Sequence, residues 1–343
     1  MSGGHVQGTG ARSAGVVAGL AAALAFATSG PVVKPLLAAG WSPGAAILVR
    51  LTLGAVLLAG PAVLALRGRW SVLRADAGTV VGLGLLGVAG ASTSYFLAVD
   101  RLPVAVALLV EYTGPLLLVL WSWLRTRQAP SRTTLVGAAL AMGGLVLVLD
   151  VTGSLRLDPL GLVFALAAAV GNAAYFALTA RPIALPPVTL AGAAMVVGAA
   201  TVALLALVRV LPLEAPDVRV DVLGASVHWA VPLAVVGVVP TAVAYGVSAV
   251  SVRLLGERVA SFLALSEVLF AVVLAWVLLG EAPRGMQVLG AALVVAGVAT
   301  VRRGADRDVV SGAAPPPADV LAPVPDQDLD PPAGRATTVS PRA

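Results

Sequence analysis

The chain has 343 residues, of which 59% are hydrophobic and 11% charged, with a formal net charge of +5. Soluble domains carry about 25% charged residues, so a mean hydropathy of +0.98 excludes an ordinary water-facing surface and predicts an integral membrane protein in contact with the lipid bilayer. Short arginine clusters without a basic face exclude nucleic acid as the expected partner, and the absence of cysteine excludes disulfides and thiolate metal sites.

Ten apolar runs of membrane-spanning length follow one another along the chain. Residues 1–13, which precede them, are predicted to be a flexible start and not a cleaved signal. The runs are 14–37, 43–66, 78–99, 103–124, 133–149, 159–180, 187–207, 228–252, 259–279 and 285–301. They are too long for strands and lack period-two alternation, which predicts an all-α fold with ten transmembrane helices. Residues 304–343, rich in Pro and Asp, are predicted to form a disordered tail.

The second half of the chain repeats the first. The segment LVGAAL at 135–140 matches VLGAAL at 288–293, and Glu111 in the fourth run matches Glu267 in the ninth. Further matches between runs occur in the same order along both halves. The predicted five-helix repeats are 14–150 and 151–303.

Five spans in each half require the second half to enter the membrane from the opposite side. The sequence therefore predicts an inverted repeat, which is typical of secondary transporters. Arginine-rich loops lie on one side, at 67–74, 125–132, 253–258 and after 301, so the positive-inside rule places both termini in the cytoplasm. The expected location is the cell (inner) membrane, with the long loop 208–227 outside.

Small residues mark two helix-packing surfaces. The segments 137–144 and 290–297 are rich in Gly and Ala, which lets helix backbones approach closely in lipid. Polar side chains are concentrated in the first, third, fourth, sixth, eighth and ninth runs. We therefore expect those six helices to line a cavity and the fifth and tenth to form an outer scaffold.

Charged residues inside the runs are few, because each costs roughly 2.5–3.5 kcal/mol at a helix centre. Glu111 and Glu267 each lie eight residues into their runs, near the membrane midplane, where inverted symmetry brings them toward one cavity. There they would bind a proton or a cationic substrate group in turn, or else accept structural hydrogen bonds or pair with Arg50. Arg50 would bind a substrate carboxylate or lock neighbouring helices, and the structural role is favoured. Lys34 is interpreted as an interfacial or loop charge.

Uncharged polar residues in the runs form a second set of candidates. Each is either a contact to substrate or an interhelical hydrogen-bonding group. The candidates predicted to bind substrate or assist proton coupling are Tyr95, Tyr112, Asn172, Tyr175 and Tyr245.

No residue pattern fits an enzyme. The sequence lacks a phosphate-binding loop, a nucleophile elbow and a zinc-binding motif, and its two histidines are far apart, so no catalysis, cofactor or metal is expected. The first hypothesis is a proton-coupled exporter of small polar metabolites such as amino acids. The second is a non-transporting membrane scaffold or partner subunit with the same architecture, and a homodimer is left open.

Four features of the sequence together resemble a known family. They are Pro43 with Arg50, RLP at 101–103, LLVEYTGP at 108–115, and LGE at 279–281. With them the chain resembles, over about residues 14–302, the EamA family of the drug/metabolite transporter superfamily.

The fourth run is most similar to the threonine/homoserine exporter branch, in which a Glu-Phe-Thr-Gly-Pro segment is usual. The resemblance implies ten helices, inverted repeats, cytoplasmic termini, a central cavity and export of amino acids or other metabolites. Two positions depart from the family pattern, with Val268 after Glu267 where Pro is common, and Gln128 where an acidic residue is frequent.

Overall fold

The structure is a computed structural model that describes residues 4–127, 131–148, 157–179, 181, 183–222, 224–244, 247–248, 250–251, 254–255, 263–264 and 266–312. Within these residues every predicted apolar run is largely helical. In the part of the chain that the structure describes, five helices are long and apolar enough to cross a membrane, namely Ser13–Ala38, Pro43–Leu66, Ala77–Arg101, Pro159–Thr179 and Pro187–Leu207. Shorter apolar helices are Arg132–Leu147, Ala230–Val243, Ser266–Leu279 and Gly285–Thr300. The protein is an all-α membrane protein, as predicted.

The first half of the chain contains nine α-helices and one π-helical stretch in the described residues. They are α1 Gly4–Ala27, α2 Ser29–Ala38, α3 Pro43–Leu66, α4 Trp70–Ala75, α5 Ala77–Gly82, π1 Leu83–Gly90, α6 Ala91–Arg101, α7 Val104–Glu111, α8 Gly114–Thr126 and α9 Arg132–Val148. The second half contains α10 Pro159–Thr179, α11 Pro187–Leu207, β1 Arg219–Val222, β2 Ala225–His228, α12 Ala230–Gly237, π2 Val238–Val243, α13 Ser266–Leu279 and α14 Gly285–Gly312.

The terminal helices extend beyond the predicted runs. Helix α1 begins at Gly4, so most of the segment predicted as a flexible start is helical, because extending an existing helix adds one hydrogen bond per ordered residue. Helix α14 continues to Gly312 for the same reason. The rest of the predicted tail, 313–343, lies outside the described residues.

The two halves pack as counterparts. Helix α3 packs against α11, and α9 against α14, which pairs the second run with the seventh and the fifth with the tenth. The other contacts between the halves also follow the repeat. Helix α10 of the second half packs on α6 and α7 of the first half. Correspondingly, α1 and α2 of the first half pack on α13 and α12 of the second half. The packing therefore follows the repeat that the sequence predicts.

Counterpart helices run antiparallel. A Cβ on Gly54 of α3 would meet Met195 of α11, and one on Gly44 would meet Pro212 beyond the end of α11. On the other pair, a Cβ on Gly144 of α9 would lie 2.6 Å from the Gly290 carbonyl of α14. The two predicted small-residue surfaces thus pack against each other, and the prediction of close helix packing is confirmed.

Apolar side chains cover the outside of the bundle as well as its core. Leu64, Trp121 and Val170 are 76%, 64% and 60% exposed, whereas Phe96 and Leu36 are completely buried. Lipid is the solvent that such an exterior matches.

One end of the bundle is covered by the segment 208–229, which contains an antiparallel β-hairpin of β1 and β2. Ser42 caps α3 by accepting a hydrogen bond from the Ala45 N–H (3.2 Å), and its hydroxyl donates to the Pro212 carbonyl (2.8 Å). The rings of Trp41 and Trp229 lie 5.0 Å apart. We call this the hairpin end.

Candidate functional site

The fourth predicted run is interrupted at its acidic residue. Helix α7 ends at Glu111, and α8 begins at Gly114 with Pro115 in its first turn. Proline has no N–H to continue the ladder of hydrogen bonds, and the Thr113 N–H instead donates to the Val110 carbonyl at 3.0 Å. Glu111 is therefore carried at the end of a half-helix, an arrangement that transporters use at their binding sites.

The second acidic residue lies in the first turn of α13. Tyr112, in the interruption of the fourth run, donates its hydroxyl hydrogen to Glu267 Oε2 at 2.6 Å. Glu111 and Glu267 are close enough for their charges to interact. The structure thus brings together the two acidic residues that the sequence paired, one from each half.

Asn172 joins the site from α10. Its side-chain amide hydrogen-bonds to Glu111, while its Oδ1 is buried without a hydrogen-bond partner in the described part of the chain. Gly114 allows this approach, because a Cβ there would lie 2.9 Å from the Ala169 carbonyl and 3.3 Å from Asn172 Cβ. An unpaired buried acceptor beside a carboxyl group can accept hydrogen bonds from a ligand.

Arg50 connects three helices beside the acidic pair. Its Nη1 donates to Ser29 Oγ of α2 at 3.1 Å, and its guanidinium lies over the Phe96 ring of α6, 5.5 Å from the centroid. Its charge acts on Glu111 and Glu267. These contacts fit the favoured structural role, and the contact to a substrate carboxylate stays a prediction. Sequence reasoning missed Phe96 and Ser29 as the residues that hold the guanidinium.

The remaining tyrosine candidates lie in different surroundings. Tyr95 is buried next to Gly30 and Phe96, and it is near enough to Glu111 for an electrostatic interaction. Tyr175 is half-buried three residues after Asn172 and packs edge-on against Phe176, with centroids 5.7 Å apart. Tyr245 lies outside the described residues.

Of the two interpretations of Lys34, the structure contradicts the loop charge and leaves the interfacial charge open. Lys34 is not a loop charge, since it lies within α2, half-buried, and forms an ion pair with Glu281 at 2.5 Å. The sequence contains no sign of this pair, because its members are 247 residues apart and lie in different halves of the chain.

A cavity of about 620 Å³ lies at the hairpin end. Its lining includes Leu37, Trp41, Arg101 and Phe164, and does not include Glu111 or Glu267. The acidic pair is therefore separated from this cavity in the conformation described.

Comparison with known proteins identifies the family. The EamA-like transporter family matches residues 13–150 and again residues 159–303. A solved structure described as "Crystal structure of protein" is similar in fold, with a TM-score of 0.58 and 24% identity over 86% of this chain and 98% of that chain. No curated protein matches. Because the two family matches cover most of the sequence, the chain belongs to the EamA-like transporter family and is a membrane transporter of the drug/metabolite superfamily.

Proposed function

We propose that the protein is a proton-coupled secondary transporter that exports small polar metabolites, with Glu111 and Glu267 as the groups that exchange protons for substrate. The observation that carries this proposal is the meeting of the two carboxyl groups, one from each half, at an interrupted helix. Interacting carboxyl groups titrate as a unit, and such a unit can exchange a bound proton for a substrate cation.

Transport would require the two inverted halves to exchange conformations, so that the site faces each side of the membrane in turn. The antiparallel packing of α3 on α11 and of α9 on α14 supports opposite insertion of the repeats. Opposite insertion makes the two ends of the bundle near-equivalent, so that the same site can open to either side in turn. The arginine-rich loops support cytoplasmic termini in the inner membrane.

The substrate class that fits the site best is a small zwitterion such as an amino acid. An ammonium group would interact with Glu111, Glu267 and the unpaired Asn172 Oδ1. A substrate carboxylate would interact with Arg50, whose charge already acts on the acidic pair. This arrangement agrees with the similarity of the fourth run to threonine/homoserine exporters.

The test uses purified protein in proteoliposomes. A thermal-shift screen with amino acids, sugars and organic cations first identifies ligands, because ligands that bind the folded form raise its apparent stability. Uptake of radiolabelled threonine, or of the best ligand from the screen, is then measured with and without a pH gradient.

We expect Glu111→Gln to lower gradient-driven uptake about tenfold or more, equivalent to about 1.4 kcal/mol. Asp221→Asn is the control, because it neutralises a carboxylate in an exposed side chain of the hairpin that does not line the cavity. Unchanged pH dependence in Glu111→Gln would remove this residue from the mechanism. Absence of binding and of uptake for every ligand class would favour the scaffold hypothesis instead.

A further inference from the structure

A cluster of hydrogen bonds at the hairpin end connects Lys34, Glu281 and the backbone of residues 102–104. The Lys34 ammonium donates to Glu281 Oε1 at 2.5 Å and to the Leu102 carbonyl at 2.8 Å. The other carboxylate oxygen, Glu281 Oε2, accepts the Val104 N–H at 3.0 Å. Both side chains keep about a quarter of their surface exposed, at 26% and 22%. We call this cluster of contacts the latch.

The latch holds the ends of three helices that carry site residues. Helix α7 begins at Val104 and ends at Glu111, about 10 Å further along its axis. Helix α13, which carries Glu267, ends two residues before Glu281. Helix α2 carries both Lys34 and Ser29, the residue that accepts the hydrogen bond from Arg50.

The latch also adjoins the cavity at the hairpin end. Leu37 and Arg101 line the cavity, and they are neighbours in the chain of Lys34 and Leu102. The cavity lining includes neither acidic residue. Separating α2 from the 102–104 turn and from Glu281 would extend the cavity along these helices toward the site.

We propose that the latch is the gate of the transport path at the hairpin end, and that breaking the Lys34–Glu281 ion pair opens the site to that face of the membrane. One ion pair between side chains that are 26% and 22% exposed, with two hydrogen bonds, can break and re-form repeatedly without unfolding a helix. Because the contacts link α2, α7 and α13, opening the gate also displaces the helices that position Arg50, Glu111 and Glu267. The inference rests on the proposed site lining the transport path.

The absence of cysteine makes a direct test available. Ser29→Cys places one thiol at a position that is 6% exposed, about 7.5 Å along α2 from Lys34. Its rate of labelling by a membrane-impermeant maleimide is measured in intact cells and in inverted vesicles, with full-length protein. This readout needs neither a substrate nor a proton gradient, so it succeeds or fails independently of the transport assay.

We expect Lys34→Met and Glu281→Gln, each in the Ser29→Cys background, to raise labelling about five- to twentyfold from one face only. With cytoplasmic termini that face is the outside. Arg209→Gln is the matched control, because it removes a charge from an exposed side chain at the same end of the bundle, and should leave the rate unchanged.

Glu281→Gln decides the matter if Lys34→Met does not fold, because glutamine keeps the side-chain volume and an oxygen that can accept the Val104 N–H. A rise on a single face, absent in the control, supports the gate. Equal rates in all variants, a rise on both faces, or rapid labelling of the parent Ser29→Cys protein overturns it.

Discussion

Two adjacent glycines of α9 provide a test of the packing between the halves. A Cβ on Gly144 would lie 2.6 Å from the Gly290 carbonyl and 2.7 Å from the Val294 nitrogen of α14, whereas a Cβ on Gly143 would meet nothing within 4 Å. Both obstructing atoms belong to a helix backbone and cannot rotate away. Gly144→Ala must therefore push α9 and α14 apart by about 0.8 Å, the difference between 2.6 Å and an ordinary contact of about 3.4 Å.

The expected free energies have opposite signs at the two positions. Replacing a helical glycine by alanine gains up to about 1 kcal/mol of helix propensity, which Gly143→Ala should retain. The propensity gain is the same for both glycines, and overpacking costs about 1–3 kcal/mol, so Gly144→Ala should be less stable than Gly143→Ala by about 1–3 kcal/mol. Thermal unfolding of both purified variants in the same detergent measures this difference. Equal stability of the two variants would refute the close packing of α9 on α14.

Two further substitutions test single contacts. Tyr112→Phe removes the hydroxyl that donates to Glu267. A hydrogen bond to a charged group contributes about 1.5–3 kcal/mol, so its loss should slow threonine uptake tenfold or more at unchanged expression. Uptake at the wild-type rate would show that the contact is unimportant for transport. Ser42→Ala removes the cap of α3 and the hydrogen bond to Pro212. It should lower the free energy of unfolding, measured by thermal denaturation, by about 1–2 kcal/mol. An unchanged melting temperature would mean that neither bond stabilises the fold.

The interruption at Glu111 illustrates how far local sequence information reaches. Pro115 predicts a local break, because its missing N–H frees a carbonyl one turn earlier. The sequence does not show that Tyr112, which lies in this break, reaches Glu267 in the other half. That contact exists only because α7 and α13 pack side by side.

By itself the sequence determined the membrane class, the helical runs, the repeat and the acidic pair. These properties follow from composition, run length and the rarity of charges in lipid, all of which can be read along a single chain. Only the tertiary structure decided that Lys34 pairs with Glu281, that Ser29 and Phe96 hold Arg50, and that Asn172 reaches Glu111. The physical reason is that these helices are apolar on every face, so their hydrophobic pattern does not indicate which side of a helix meets which neighbour.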